Sequence, residues 1–236
     1  MVRINKYLAD CGICSRREAD KYIDSGKVKI NGQIAKSGMQ VDDKDIVEFD
    51  GKQIRSLESK VVLAYYKPIG VTCTEKDKYA EKTIVDAIKY PVRLTYAGRL
   101  DKDSEGLIIM TNDGELINNM MRGANRHEKE YIVKVDRTIN PEFVEKMSKG
   151  VFLKDLSQTT RPCEVEIIGK NTFKIILTQG LNRQIRRMCQ TLGYNVKSLK
   201  RIRVVNIELK NIRSGEYREI KGEELRNLYA KCGMNK

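Results

Sequence analysis

Hydrophobic and polar positions in the first sixty residues change their period once, and the change marks the local structure. In "RINKYLADCG", Ile4, Leu8 and Cys11 fall on one side of a short helix. "SRREADKYIDSG" continues with helical spacing: Ser15 is the expected N-cap, Glu18 completes a capping box three residues on, and Gly26 supplies the stop. On this second helix Arg16, Arg17 and Lys21 lie opposite Ala19, Tyr22 and Ile23, so the basic side chains should face solvent. The period then falls to two in "KVKINGQIA", where Asn31-Gly32 predicts a tight hairpin turn. The predicted order is helix, helix, hairpin.

The stretch "DGKQIRSLESK" is polar and aperiodic, which places a boundary between a domain of residues 1–58 and one of residues 59–236. Beyond it, strand-like runs occur at 61–66, 106–111, 130–135, 163–168, 173–178 and 204–209, and helical spacing at about 83–89, 115–122, 141–149, 182–193 and 222–231. Strands outnumber helices without strict alternation. The expected fold class is therefore α+β, a small helix-helix-hairpin domain followed by a mixed, largely antiparallel β-sheet domain.

Charge narrows the partners. The chain has 236 residues with 45 Lys and Arg against 32 Asp and Glu, a net charge of +13, which favours a polyanion such as nucleic acid. The excess is uneven: residues 3–36 carry eight basic and four acidic side chains, and residues 42–50 carry one and five. From Arg183 to Arg203 there are seven basic residues (Arg183, Arg186, Arg187, Lys197, Lys200, Arg201, Arg203) and no acidic one, which predicts a phosphate-binding track. No apolar run approaches a membrane span, so a cytoplasmic protein without a membrane partner is expected.

Several chemistries are disfavoured. Six scattered cysteines with one C-x-x-C pair, Cys11 and Cys14, do not complete a zinc site, and reduced thiols are expected. His127, the single histidine, lies in a very polar stretch, which argues against a Ser-His or Cys-His nucleophile. Neither G-x-G-x-x-G after a strand nor G-x-x-x-x-G-K-[ST] is present, so no cofactor is expected. The segment "AGRLDKDSEG" sets Asp101, Asp103 and Glu105 at alternate positions. Asp101 to Gly106 imitates the start of a calcium loop, but the closing position is Asn112 and the residues between form an apolar run, so no metal site is expected. A paired-carboxylate glycosidase fits poorly with a chain that has no Trp.

Two longer patterns carry a resemblance. "RINKYLADCGICSRREADKYIDSGKVKINGQ" resembles the S4 RNA-binding domain, with Arg3, Ser15, Arg16, Arg17, Lys27 and Asn31 on that motif's positions. "AGRLDKDSEGLIIMTNDGEL" resembles the signature of the pseudouridine synthases that carry an S4 domain and act on ribosomal RNA, and "YYKPIGVTCT", "KEYIVKV" and "GLNRQIRRMC" follow the same family in order. The form "LTQGLNRQIRRMCQTLGY" is similar to the large-subunit branch; Ser104 stands where many members have Thr, which retains the hydroxyl.

The resemblance implies Asp101 as the catalytic carboxylate, acting as nucleophile at C1′ or base at C2′, with the choice left open. It implies Tyr131 stacking on a flipped-out target base, Arg99 helping to displace the nucleotide, Lys67 and Pro68 in a loop supporting the tyrosine, and Arg186 as the active-site cation. Ile185, Met188, Cys189 and Leu192 form the apolar stripe of the 182–193 helix; Arg186 flanks it, whereas Arg183, Arg187 and Gln190 lie on the far side. Arg186 is therefore expected to turn inward towards Asp101, with Asp103 and Glu105 as ordinary turn and strand-entry residues. The implied partner is a stem-loop region of large-subunit ribosomal RNA, with transfer RNA as a second candidate and the protein a monomer. A small-subunit synthase and a non-catalytic S4-type assembly protein are the alternatives.

Overall fold

The computed structural model describes residues 1–55, 59–74 and 82–234. The chain divides into two compact units: Met1–Val61 with Tyr90–Leu94 and Asn112–Gly114, and the remainder, Val62–Lys89, Thr95–Thr111 and Glu115–Lys236. The break expected at residue 58 lies outside the described residues.

In the first unit, helices Ile4–Asp10 and Arg16–Asp24 precede a four-stranded antiparallel sheet of Val28–Ile30, Gln33–Ile34, Val47–Phe49 and Lys52–Ile54. Ser15 and Glu18 form the reciprocal capping box, which satisfies two backbone N–H groups at the start of the second helix. Asn31 (φ 51°) and Gly32 (φ 79°) both occupy the left-handed region, as a two-residue type I′ hairpin requires. Ile4, Leu8, Ala19, Ile23, Val28, Val41 and Val47 make the core, and Tyr22 packs on Phe49 with ring centroids 5.1 Å apart. Arg16, Arg17 and Lys21 are exposed, on the face opposite that core.

The second unit is built on a nine-stranded mixed sheet. Its order is Glu164–Gly169, Thr172–Leu177, Lys129–Val135, Val196–Val204, Glu105–Thr111, Val62–Lys67 and Tyr217–Glu219, with Ile207–Glu208 paired to Val196–Val204 and Thr95–Ala97 to Glu105–Thr111. Helices Gly114–Met121 and Gly222–Lys231 cover one face through Leu116, Met120, Leu228 and Tyr229 against Val62, Ala64, Leu107, Ile109 and Val204. On the other face, Phe143 of helix Pro141–Lys149 packs against Phe173 and Tyr194, at 5.2 and 4.4 Å between centroids.

One sequence expectation is corrected here. The run 204–209 is not a single strand: the long strand is Val196–Val204, the chain turns at Val205 (φ 56°), and Ile207–Glu208 folds back on it. Its alternation is masked because the inward position 201 holds an arginine. The helix expected at 83–89 is also shorter, Ile84–Ala87.

In this sheet every described pairing is antiparallel except that of Val196–Val204 with Glu105–Thr111, where Arg201 stands opposite Gly106. Gly106 has φ +110°, and a Cβ there would collide with the Arg201 carbonyl oxygen and stand 2.6 Å from the Arg201 nitrogen. The glycine that ends "DKDSEG" therefore lets the two central strands approach each other directly beneath the Asp101 loop.

Candidate active site

The loop 98–104 joins strand Thr95–Ala97 to strand Glu105–Thr111 and carries the acidic motif. Backbone bonds tighten and anchor it: Ser104 N donates to Asp101 O at 3.1 Å, and Gly70 N donates to Lys102 O at 2.8 Å. Leu100 N donates to the Cys73 sulfur at 3.4 Å. The Gly70 contact is itself braced from below. Lys67, fully buried at the end of strand Val62–Lys67, donates its ammonium to the carbonyls of Pro68 and Val71, both at 2.8 Å. Burial pushes the Lys67 pKa down, opposed in part by its negative neighbours, with Asp103 and Asp101 among them. Lys67 thus braces the segment whose Gly70 N–H holds the acidic loop.

Two arginines hold the loop from the other side, in a pattern that differs from the expected one. Arg183 precedes helix Gln184–Thr191 in a left-handed conformation (φ 50°), which turns its guanidinium back to grip the Asp103 carboxylate with both terminal nitrogens, at 3.1 and 2.9 Å. The same group comes within 3.5 Å of Asp101 Oδ2. Arg186 does turn inward, but it donates to the Asp103 carbonyl at 2.8 Å and to the buried Ser104 hydroxyl at 3.2 Å. The cation beside Asp101 is therefore Arg183, and Arg186 fixes the turn that carries it. Asp103 is no bland turn residue: the Arg183 hydrogen bonds, ahead of the nearby Arg186 charge, hold its carboxyl below the usual range. Glu105 also has a partner, accepting from the Tyr66 hydroxyl at 2.6 Å.

This loop borders a cleft of about 660 Å³ within the second unit. Arg99, Asp101, Tyr131, Arg183 and Arg201 line it, and Arg186 does not. Lys129, absent from the sequence expectations, also lines it. Tyr131 is 8 % exposed and stands opposite Arg201 in the antiparallel pair, so the two side chains share one face of the sheet. Lys129 sits two residues before Tyr131, and burial, with the Arg201 charge second, lowers its pKa to about 8. The period of two along "KEYIVKV" was the available signal for Lys129, but a charged residue at an inward position reads as solvent-facing.

The predicted phosphate track does not form an open stripe. Arg201 is buried, with Nε donating to Leu107 O at 2.6 Å. Arg203 is bound to Glu130 at 2.7 Å and Glu128 at 3.0 Å, Arg187 to Asp155 and Asn182, and the Lys200 ammonium lies 4.8 Å from the Tyr66 ring centroid. Strand Val196–Val204 lies between two neighbours in the sheet, so its cations are drawn into internal pairs; Lys197 is left exposed. In the first unit Arg3, Arg16 and Arg17 are exposed. Ser15 caps its helix, Asn31 is bound to Asp45 and to the Ile46 N–H, and Lys27 lies 3.5 Å from Asp50.

Chemically, the cleft presents one partly exposed carboxylate beside a fixed guanidinium, an aromatic ring, and two cations on the sheet floor. Comparison with known proteins identifies the family. Residues 2–47 match the S4 domain and residues 61–191 match RNA pseudouridylate synthase. The dual-specificity RNA pseudouridine synthase RluF of Escherichia coli (strain K12) is 46 % identical over 230 residues, covering 97 % of this chain and 78 % of that one. The ribosomal large subunit pseudouridine synthase B of Bacillus subtilis (strain 168) is 34 % identical over 238 residues, covering 98 % and 96 %. A crystal structure of a pseudouridylate synthase superposes with a TM-score of 0.71 at 28 % identity, over 97 % of this chain and all of the other. The matches over residues 2–47 and 61–191, with relatives 46 % and 34 % identical over nearly the whole chain, place this chain in the RNA pseudouridylate synthase family.

Proposed function

We propose that the protein isomerises a uridine of large-subunit ribosomal RNA to pseudouridine in the 660 Å³ cleft, with Asp101 as the reacting carboxylate. The observation that carries this reading is the placement of Asp101 on the cleft wall, 3.5 Å from Arg183, in a cleft that Tyr131 also lines. Isomerisation breaks the N1–C1′ bond, turns the base and rejoins it through C5, with no net redox change and no group added. Asp101 needs to be aimed at the sugar, which Arg183 and the anchored loop support. The target base must leave its stack to enter the cleft, and Tyr131 offers a face on which it can rest. Arg99, exposed at the cleft, is placed to contact the displaced nucleotide. Arg186 acts through Asp103 and Ser104 as a positioning residue.

The S4-type surface of Arg3, Arg16, Arg17 and Lys21 supplies sequence-independent contact with phosphates. The relative named for the ribosomal large subunit favours ribosomal RNA as substrate, and we keep transfer RNA as a second candidate. Among the described residues no helix is long and apolar enough to cross a membrane, and we place the enzyme with its RNA in the cytoplasm, acting as a monomer. The test is to map pseudouridines by carbodiimide-adduct primer stops in RNA from cells with and without the gene. Loss of one stop in large-subunit ribosomal RNA is expected. A stop lost only from small-subunit RNA, or none lost, contradicts the assignment.

A further inference from the structure

Arg201 is 2 % exposed, lines the cleft, and spends Nε on the Leu107 carbonyl; its Nη2 has no hydrogen-bond partner among the described residues. A buried guanidinium with an unmet donor is costly, and such a group is kept where something else completes it. Its position is fixed on both sides. Tyr131 stands opposite it in one strand and Gly106 in the other, where the absent Cβ lets the backbones touch. Lys129 is close enough for the two positive charges to oppose each other. The cleft floor is therefore positive and built into the centre of the sheet.

The reaction produces an anion that such a floor would fit. As the N1–C1′ bond breaks, its electron pair leaves with the base. Whether Asp101 bonds to C1′ or takes the C2′ proton, the carboxylate's charge is cancelled and one negative charge appears on uracil, shared by N1, O2 and O4. When C5 bonds to C1′ the charge returns to Asp101, and the C5 proton is then exchanged through solvent for one on N1. We propose that Arg201, assisted by Lys129, is a further catalytic residue that donates to the detached uracil anion and holds it while the base turns. This rests on the reading that the target uridine reacts with Asp101 in this cleft. A preorganised donor aimed at developing charge contributes to rate rather than to substrate affinity.

The test uses the full chain and an RNA stem-loop containing the mapped target uridine. Arg201→Gln should lower kcat by about 100-fold with KM and RNA affinity within about threefold of the native enzyme, and Arg201→Lys should recover roughly tenfold by keeping the charge. A kcat within about threefold of native overturns the proposal. So does a loss carried by KM with a weakened salt dependence of binding, which would make Arg201 a phosphate contact. If both variants fail to fold, the native enzyme decides: barbiturate, an anionic pyrimidine at neutral pH, should inhibit roughly tenfold better than neutral dihydrouracil, and equal inhibition overturns the proposal. Asp101→Asn separates the two readings. Activity in that variant strikes at the function itself, whereas inactive Asp101→Asn beside fully active Arg201→Gln removes only the role given to Arg201.

Discussion

Replacing Gly106 by alanine tests whether the close approach of the two central strands holds the Asp101 loop. The backbone there has φ +110°, which costs an L side chain about 1–3 kcal/mol. The added Cβ would also stand 2.6 Å from the Arg201 nitrogen and collide with its carbonyl oxygen, so the strands must part; overpacking of this kind costs about 1–3 kcal/mol more. A combined loss of about 2–6 kcal/mol is a large share of a stability of roughly 5–15 kcal/mol. Gly98→Ala is the internal control. Its φ is also positive, +77°, but the Cβ would meet the Met121 sulfur at 2.8 Å, a flexible side chain that can move aside. That change should cost about 1–2 kcal/mol. Urea unfolding of the two variants gives the comparison directly. At about 2–4 °C per kcal/mol for a chain of this size, the melting temperatures should fall by roughly 4–24 °C and 2–8 °C. A Gly106→Ala variant no less stable than Gly98→Ala refutes the argument. Parting the strands also displaces Arg201 and the end of the loop, so residual folded Gly106→Ala should be poorly active.

Lys129 has a folded pKa of about 8 against an ordinary 10.5, so the unfolded chain binds more protons between those values and this group makes stability rise with pH across that window. Lys129→Met should remove that slope and stabilise the protein at neutral pH by up to about 3 kcal/mol; unfolding curves with the native pH dependence would contradict it. The depressed Asp103 pKa gives the opposite sign: its grip on Arg183 is fully present above the ordinary carboxylate value of about 3.9 and is lost as pH falls through the folded value. A double-mutant cycle of Asp103→Asn with Arg183→Gln should show a coupling of about 0.5–1 kcal/mol at pH 7 that vanishes in strong acid, and no coupling at pH 7 would remove the latch. Replacing Arg16 and Arg17 together by alanine should reduce the salt slope of RNA binding by about 2 without changing kcat, and an unchanged slope would count against the S4 surface.

The first unit was legible almost residue by residue because its signals are local. A capping box and an Asn-Gly turn act over three or four residues, and both occur as read. The Asp101 loop was legible through its motif, but the contacts within it were not. The left-handed turn at Arg183 puts that arginine beside Asp101, and helical spacing alone assigned it to the far side. Asp103 read as solvent-facing because its partners are about eighty residues away in sequence. Strand Val196–Val204 went unrecognised because position 201, which must face inward, holds a charge. The same burial that hid Arg201 from pattern reading is what removes it from a surface track.

The most direct test of the account is the Asp101→Asn enzyme, incubated with the target stem-loop and read by carbodiimide-adduct primer stops. The substitution keeps the size of the side chain and removes the charge. No stop should appear even after long incubation, while RNA affinity stays within about threefold of native. A stop formed at the native rate would show that the carboxylate beside Arg183 does not carry the reaction.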